Sequence, residues 1–190
     1  MLRIIGGTAK GRLLKVPTGS KIRPTSDKVR ESLFNIIGPH IIKGARFMDL
    51  FAGCGAIGIE ALSRGAEHVT FVESNPRHVK TILVNLEICG FQQSAQIVCA
   101  DVLLALNRLE PHNPSYDILF IDPPYNYSKW KILLPKIIIS VNISDYGLLI
   151  AEHSSKVALP ERMDKLALHG NYVYGDTTLT VYRTASRKRE

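Results

Sequence analysis

With 190 residues, 45% of them hydrophobic and 22% charged, the chain has apolar content for one well-buried domain and is too short for a cofactor domain beside a separate catalytic domain. That composition excludes a disordered chain, and the longest apolar run, 132–143, is interrupted by Pro135 and Lys136 and falls short of a bilayer span. The net charge of +7 is segregated, with eight bases against one acid in residues 1–30, four against one in the last eight, and twelve against fifteen between; this suits a near-neutral body whose basic ends hold a polyanion, the plainer alternative being a solvated surface kept for solubility.

In chain order, residues 2–5 and 12–16 read as strand-like pieces joined through Gly6, Gly7 and Gly11, a hairpin. Thr25-Ser26-Asp27 offers a helix start, with Val29, Leu33, Ile36 and Ile37 on one apolar face. Residues 1–40 are therefore expected to form a small extension packed on a main domain, 41–190. From Arg46 onward, short apolar runs alternate with helical stretches, the pattern of a parallel sheet with crossover helices. Strands are expected at 46–51, 68–73, 95–99, 117–122, 147–152, 172–174 and 179–183, and helices at 57–64, 76–89, 102–109 and 129–139. Pro76 is placed to open its helix and Gly90 to close it. Gly175-Asp176 leaves room for a turn only, so the last two strands should form an antiparallel hairpin.

Gly53, Gly55 and Gly58 match G-x-G-x-x-G between a strand and a helix, where glycines let backbone amides approach a ligand. Glu73 ends the next strand, where an acid can accept hydrogen bonds from ribose hydroxyls. These features also fit NAD. Asp49, at the end of the first strand, opposes a pyrophosphate and suits a ligand whose methionine end carries an ammonium. Asp101 is placed to accept from an adenine amine, to cap the following helix, or both.

Asp122-Pro123-Pro124-Tyr125 follows the fourth strand of the same sheet. Two prolines fix the backbone and remove two amide donors, leaving carbonyl oxygens to face outward. An exocyclic base amine is a poor nucleophile because its lone pair is delocalised. Hydrogen bonds from its protons to the Asp122 carboxylate and the Pro123 carbonyl would hold it and aim the lone pair at a methyl group. Tyr125 is placed to stack on the base. The bland reading of this tetrapeptide is a rigid turn. Both loops belong at the carboxyl ends of their strands, the ligand-binding edge of an open α/β sheet.

Residues 3–7, 10–12, 23–25, 27–35, 49–53, 60–66 and 122–125, in order along nearly the whole chain, resemble the RsmD-type bacterial 16S rRNA guanine-N2 methyltransferases. The stretch R-P-T-x-D-x-V-R-E-x-L-F-N is narrower to that family than D-P-P-Y. The resemblance implies a Rossmann-like class I fold, mostly parallel with a C-terminal antiparallel hairpin. It also implies S-adenosylmethionine as methyl donor and guanine N2 of small-subunit rRNA, in an assembled or partly assembled 30S particle, as acceptor. The implied cofactor set is Asp49, Phe51, Gly53, Gly55, Glu73, Ser74, Asp101 and Val102, and the implied reactive set Asp122, Pro123, Pro124 and Tyr125. Arg3, Lys10, Arg12, Arg23 and Thr25 are the expected RNA contacts, with 23–25 bordering the pocket. Cys54 stands where that pattern more often has Ser, and the basic tail lies outside the pattern.

Three cysteines without a C-x-x-C pair and six scattered histidines support neither disulfides nor a metal site. Asn142-Ile143-Ser144 is a coincidental sequon. Trp130 is expected in the core rather than beside the substrate. With no leader-like segment, a cytoplasmic protein away from membranes is expected, and a monomer is favoured. Three other readings stay open: an amino methyltransferase acting on DNA adenine N6 or cytosine N4, an NAD-dependent oxidoreductase, and a binding module that has lost activity.

Overall fold

A computed structural model describes residues 2–17, 26–108 and 114–184. Its elements in chain order are α1 (Asp27–Ile37), α2 (Pro39–Ile42), β1 (Arg46–Leu50), α3 (Ala56–Ser63), β2 (His68–Glu73), α4 (Pro76–Cys89), β3 (Ala95–Cys99), α5 (Val102–Asn107), β4 (Tyr116–Ile121), α6 (Trp130–Ser140), β5 (Ile143–Ser154), β6 (Arg162–Met163), β7 (Leu166–Tyr174) and β8 (Thr177–Thr184). One eight-stranded sheet runs β3-β2-β1-β4-β5-β8-β7-β6. The first five strands in that order pair in parallel, and β8, β7 and β6 add to β5 antiparallel. The chain starts at β1 in mid-sheet, winds outward to β3, then crosses back to β4. The strand order therefore reverses between β1 and β4, which opens a crevice at their carboxyl ends.

Alternation along the strands builds two apolar layers. Phe47, Ile118, Phe120, Leu148 and Ile150 face α1, α3 and α4. Met48, Leu50, Leu119, Ile121, Leu149 and Ala151 face α5 and α6. Central strands buried on both sides explain why β1 and β4 read as nearly continuous apolar runs. Trp130 is 8% exposed and joins the second layer, as its sequence context predicts.

The extension packs by the expected apolar face, with Leu2, Ile4 and Leu14 in the same cluster as Leu33, Phe34 and Ile37 of α1. Its hairpin forms as expected, with Arg3 opposite Leu13 and with the Ile4, Gly11 and Leu14 amides donating across it to the Arg12, Ile4 and Leu2 carbonyls at 3.0, 2.9 and 3.0 Å. Its turn is docked on α3, where the buried Glu60 carboxylate takes the Ile5 and Gly6 amides at 2.8 and 2.7 Å. Gly7 fits flush against α3 at φ 76°, where an added Cβ would lie 1.7 Å from the Ser63 carbonyl oxygen.

Other departures fall at element ends. β5 and β7 run longer than expected, β6 is additional, and β1 stops at Leu50 because Phe51 turns to φ 66°. The 172–174 reading missed the start of β7 because Leu166, Leu168 and Gly170 alternate with exposed residues around a bulge between Leu168 and Gly170. The hairpin at Gly175 forms as expected, with φ 62° at that glycine.

Candidate cofactor and base site

Between β1 and α3 the chain turns back on itself through Gly53 and Gly55, at φ 58° and 81°. An L residue other than glycine is strained there. Three buried side chains hold the turn. Asp49 accepts from the Gly58 amide at 3.0 Å, Glu73 accepts from the Gly53 amide at 2.8 Å, and Asn85 of α4 donates to the Cys54 carbonyl at 2.9 Å. Gly58 lets α3 lie close on β2, since a Cβ there would sit 2.3 Å from the Phe71 ring. The glycine spacing thus serves a turn and a helix contact, while acids at the ends of β1 and β2 fix the loop.

Asp49 is 1% exposed. Burial, opposed by the Gly58 hydrogen bond and reinforced by the charge of Glu73, pushes its carboxyl up to about 7. Glu73 is 7% exposed. One of its oxygens takes Gly53 and the other takes the Asn75 amide at 2.7 Å, with His78 at 3.4 Å. A carboxylate offers about four acceptor positions, so Glu73 retains capacity for hydroxyl donors. Ser74 beside it is exposed, and Asp101, also exposed, caps α5 through the Leu103 amide at 2.9 Å while Val102 turns into the core. Two mutually repelling buried carboxylates favour a cationic ligand and oppose a pyrophosphate. The residues present fit S-adenosylmethionine, with its ammonium and sulfonium, better than NAD.

The Asp122-Pro123-Pro124-Tyr125 loop leaves β4 beside this turn, and the Asp122 amide donates to the Leu50 carbonyl at 3.3 Å, joining the two strand ends. Asp122 is half-buried, Pro123 buried, and Pro124 and Tyr125 exposed, Tyr125 by 62%. The Pro124 carbonyl accepts from the Tyr127 amide at 2.8 Å, closing a turn. Tyr127 contacts Phe51 and Trp130 edge-on, and Trp130 contacts His153 in turn. Burial and then the charge of Asp101 raise the Tyr127 hydroxyl above its ordinary value. The ends of β1, β2, β4 and the start of α5 thus meet at one edge of the sheet.

The expected RNA contacts lie elsewhere on the surface. Arg3 is 61% exposed and 4.0 Å from Asp27, and Lys10 is exposed. Arg12 donates to the Ile88 carbonyl in the last turn of α4, toward the opposite edge of the sheet. From there the chain climbs α4, and Lys15 is bonded through its backbone to Asn85. Arg23 and Thr25 lie outside the described residues. Among the described residues, no group of three or more His, Cys, Asp or Glu could hold a metal, and no helix is long and apolar enough to cross a membrane.

Sequence reasoning passed over Asn85, Tyr127 and Ser154. Asn85 was detectable, as a polar residue inside the apolar stripe Ile82, Leu86 and Cys89 of α4. Ser154 and Tyr127 gave no such signal because their roles depend on strands paired far from them in sequence.

The family described as conserved hypothetical protein 95 matches residues 2–183. A putative rRNA methyltransferase, YlbH of Bacillus subtilis, is 40% identical over 182 residues, covering 96% of this chain and 98% of that protein. The ribosomal RNA small subunit methyltransferase D of Escherichia coli K12 is 33% identical, covering 96% of this chain and 89% of that one. The solved structure of the putative methyltransferase yhhF from Escherichia coli superposes with a TM-score of 0.85 at 32% identity, over 97% of this chain and 98% of that chain. The fold is the Rossmann-like methyltransferase fold.

Proposed function

Because the chain belongs to the family described as conserved hypothetical protein 95, the RsmD family, we propose that it is an rRNA methyltransferase, and specifically that it methylates the exocyclic N2 amine of a guanine in small-subunit rRNA. S-adenosylmethionine is the donor, and the substrate is the assembled or partly assembled 30S particle. The names of the relatives support rRNA methylation; the choice of guanine N2 rests on the narrow sequence resemblance around residues 23–35.

The observation that carries the chemistry is the bond between Asp122 and Leu50, which sets the reactive loop beside the glycine turn on one edge of the sheet. When bound, S-adenosylmethionine supplies an activated methyl on a sulfonium, so the protein's work is positioning and electrostatics. Asp49 would hold the methionine ammonium, Glu73 the ribose hydroxyls and Asp101 the adenine amine. Phe51, Gly53, Gly55, Ser74 and Val102 shape the cradle. Asp122 and the Pro123 carbonyl would accept hydrogen bonds from the amine N–H groups, orienting the lone pair, and Asp122 would take the one proton that the methylated amine gives up. Pro124 stiffens the loop, and Tyr125 stacks on the base.

Arg3, Lys10 and Arg12 of the 1–40 extension, with Arg23 and Thr25, hold the RNA backbone. Phosphate neutralisation supplies most sequence-independent affinity.

The test is methyl transfer from labelled S-adenosylmethionine to small ribosomal subunits, naked rRNA and duplex DNA in parallel, followed by nucleoside analysis. N2-methylguanosine from the particle is expected. Label found only in DNA adenine or cytosine would overturn the substrate while leaving donor and fold in place.

A further inference from the structure

Tyr125 carries its ring on an exposed loop, where a side chain with two rotatable bonds ordinarily samples several positions. Its hydroxyl is nevertheless tied down. Ser154, the last residue of β5 and 7% exposed, donates its hydroxyl proton to the Tyr125 oxygen at 3.1 Å, while the same serine oxygen accepts from the Lys156 amide at 3.3 Å. The ring is thus held at its far end and left open on its faces.

The anchor itself is rigid. β5 lies between β4 and β8, and Ser154 is in register with Thr177. The ring of His153 bonds the Ser154 carbonyl through Nδ1 at 2.9 Å and Thr180 through Nε2 at 2.7 Å. His153 also meets Trp130, which meets Tyr127 at the other end of the reactive loop. The end of β5 therefore supports the loop at two points, one polar and one aromatic.

We infer that Ser154 is a positioning residue that sets the plane of the Tyr125 ring and, through it, the plane of the target base. This rests on the reading of 122–125 as the base-binding loop. It assigns a role in base placement to a residue outside the D-P-P-Y motif. A pre-oriented ring spares the base the entropy of ordering it on arrival. Losing the tether should therefore weaken use of the nucleic acid and leave the cofactor untouched.

The experiment is a double-mutant cycle with Ser154→Ala and Tyr125→Phe, reading KM and kcat on small subunits and S-adenosylhomocysteine affinity by calorimetry. Each single change removes the same bond from opposite ends. Each should raise KM for the RNA substrate about threefold to tenfold, with cofactor affinity unchanged, and the double variant should be no worse than either. Additive losses, or a wild-type KM in Tyr125→Phe, would overturn the tether. Should Ser154→Ala fold poorly, Tyr125→Phe decides alone, since it removes one hydroxyl from a residue outside the core. A wild-type chain that methylates DNA instead of rRNA overturns the substrate reading, and the cycle run on that DNA still reads the tether. Inactivity on every amine substrate overturns both.

Discussion

Tyr127 of the reactive loop presents its ring edge-on to Phe51 at the end of β1, with centroids 5.4 Å apart and planes inclined at 71°. Phe51 holds a left-handed φ of 66°, unfavourable for a residue with a side chain. The contact joins the loop proposed to hold the base to the turn proposed to hold the cofactor. Edge-to-face pairs contribute about 0.5–1.5 kcal/mol. Tyr127→Leu should therefore weaken S-adenosylhomocysteine binding about threefold to tenfold, while Tyr127→Phe, which keeps the ring, should stay near the wild-type value. Calorimetric titration of both variants checks this, and equal behaviour of the two would remove Tyr127 from the cofactor site.

Asp49 predicts a pH dependence of cofactor binding. With its carboxyl at about 7 in the native protein against an ordinary 3.8, the folded state holds this proton more tightly than the unfolded chain. Its effect on stability is accordingly a loss as pH rises from about 4 to about 7, with a plateau above. A ligand ammonium prefers the ionised carboxylate, so S-adenosylhomocysteine affinity should rise as pH goes from 6 to 8, by up to about tenfold. Asp49→Asn should flatten that rise, and the titration repeated at several pH values reads it directly.

Asn85 gives a stability prediction. Its side chain, 0% exposed, satisfies the Lys15 amide, the Lys15 carbonyl and the Cys54 carbonyl. Asn85→Asp keeps the acceptor but turns an oxygen toward two carbonyls, leaving them unpaired at roughly 1–3 kcal/mol apiece. Urea unfolding should show a loss of about 2–6 kcal/mol. A change within 0.5 kcal/mol would mean that the three bonds do not form in solution.

For the nucleic-acid side, Lys10 and Lys15 flank Arg12 on the segment that bonds to α4 at Ile88 and Asn85. Replacing either with Gln should reduce the slope of log affinity against log salt by about one and spare cofactor binding. Filter binding of small-subunit rRNA across a salt series is the measurement. An unchanged slope for both would place the RNA on another face.

The parallel half of the fold was legible because Phe47, Leu50, Ile118 and Phe120 sit in strands buried on both faces, where burial writes itself into sequence as apolar runs. The glycine turn was legible because positive φ at Gly53 and Gly55 leaves a single residue type comfortable. What stayed hidden were relationships between elements. The Glu60 side chain reads as one more charge on a helix until its partners, the Ile5 and Gly6 amides, are seen more than fifty residues away. Ser154 likewise gains its meaning only from the neighbouring strand end. The hairpin at residues 2–16 was legible from local strand propensity and its glycines, whereas its docking on a distant carboxylate was not.

The docking of residues 2–17 bears on how the chain acquires its shape. Its partners Glu60, Ser63 and Asn85 lie 54 to 70 residues further on, and closing loops of that length is slow compared with forming local helices. The segment can meet the apolar face of α1 early, through Leu33, Phe34 and Ile37, but its polar partners arrive only with α3 and α4. Docking of residues 2–17 against α3 and α4 is therefore a late, long-range step that joins the start of the described chain to the two helices behind the glycine turn.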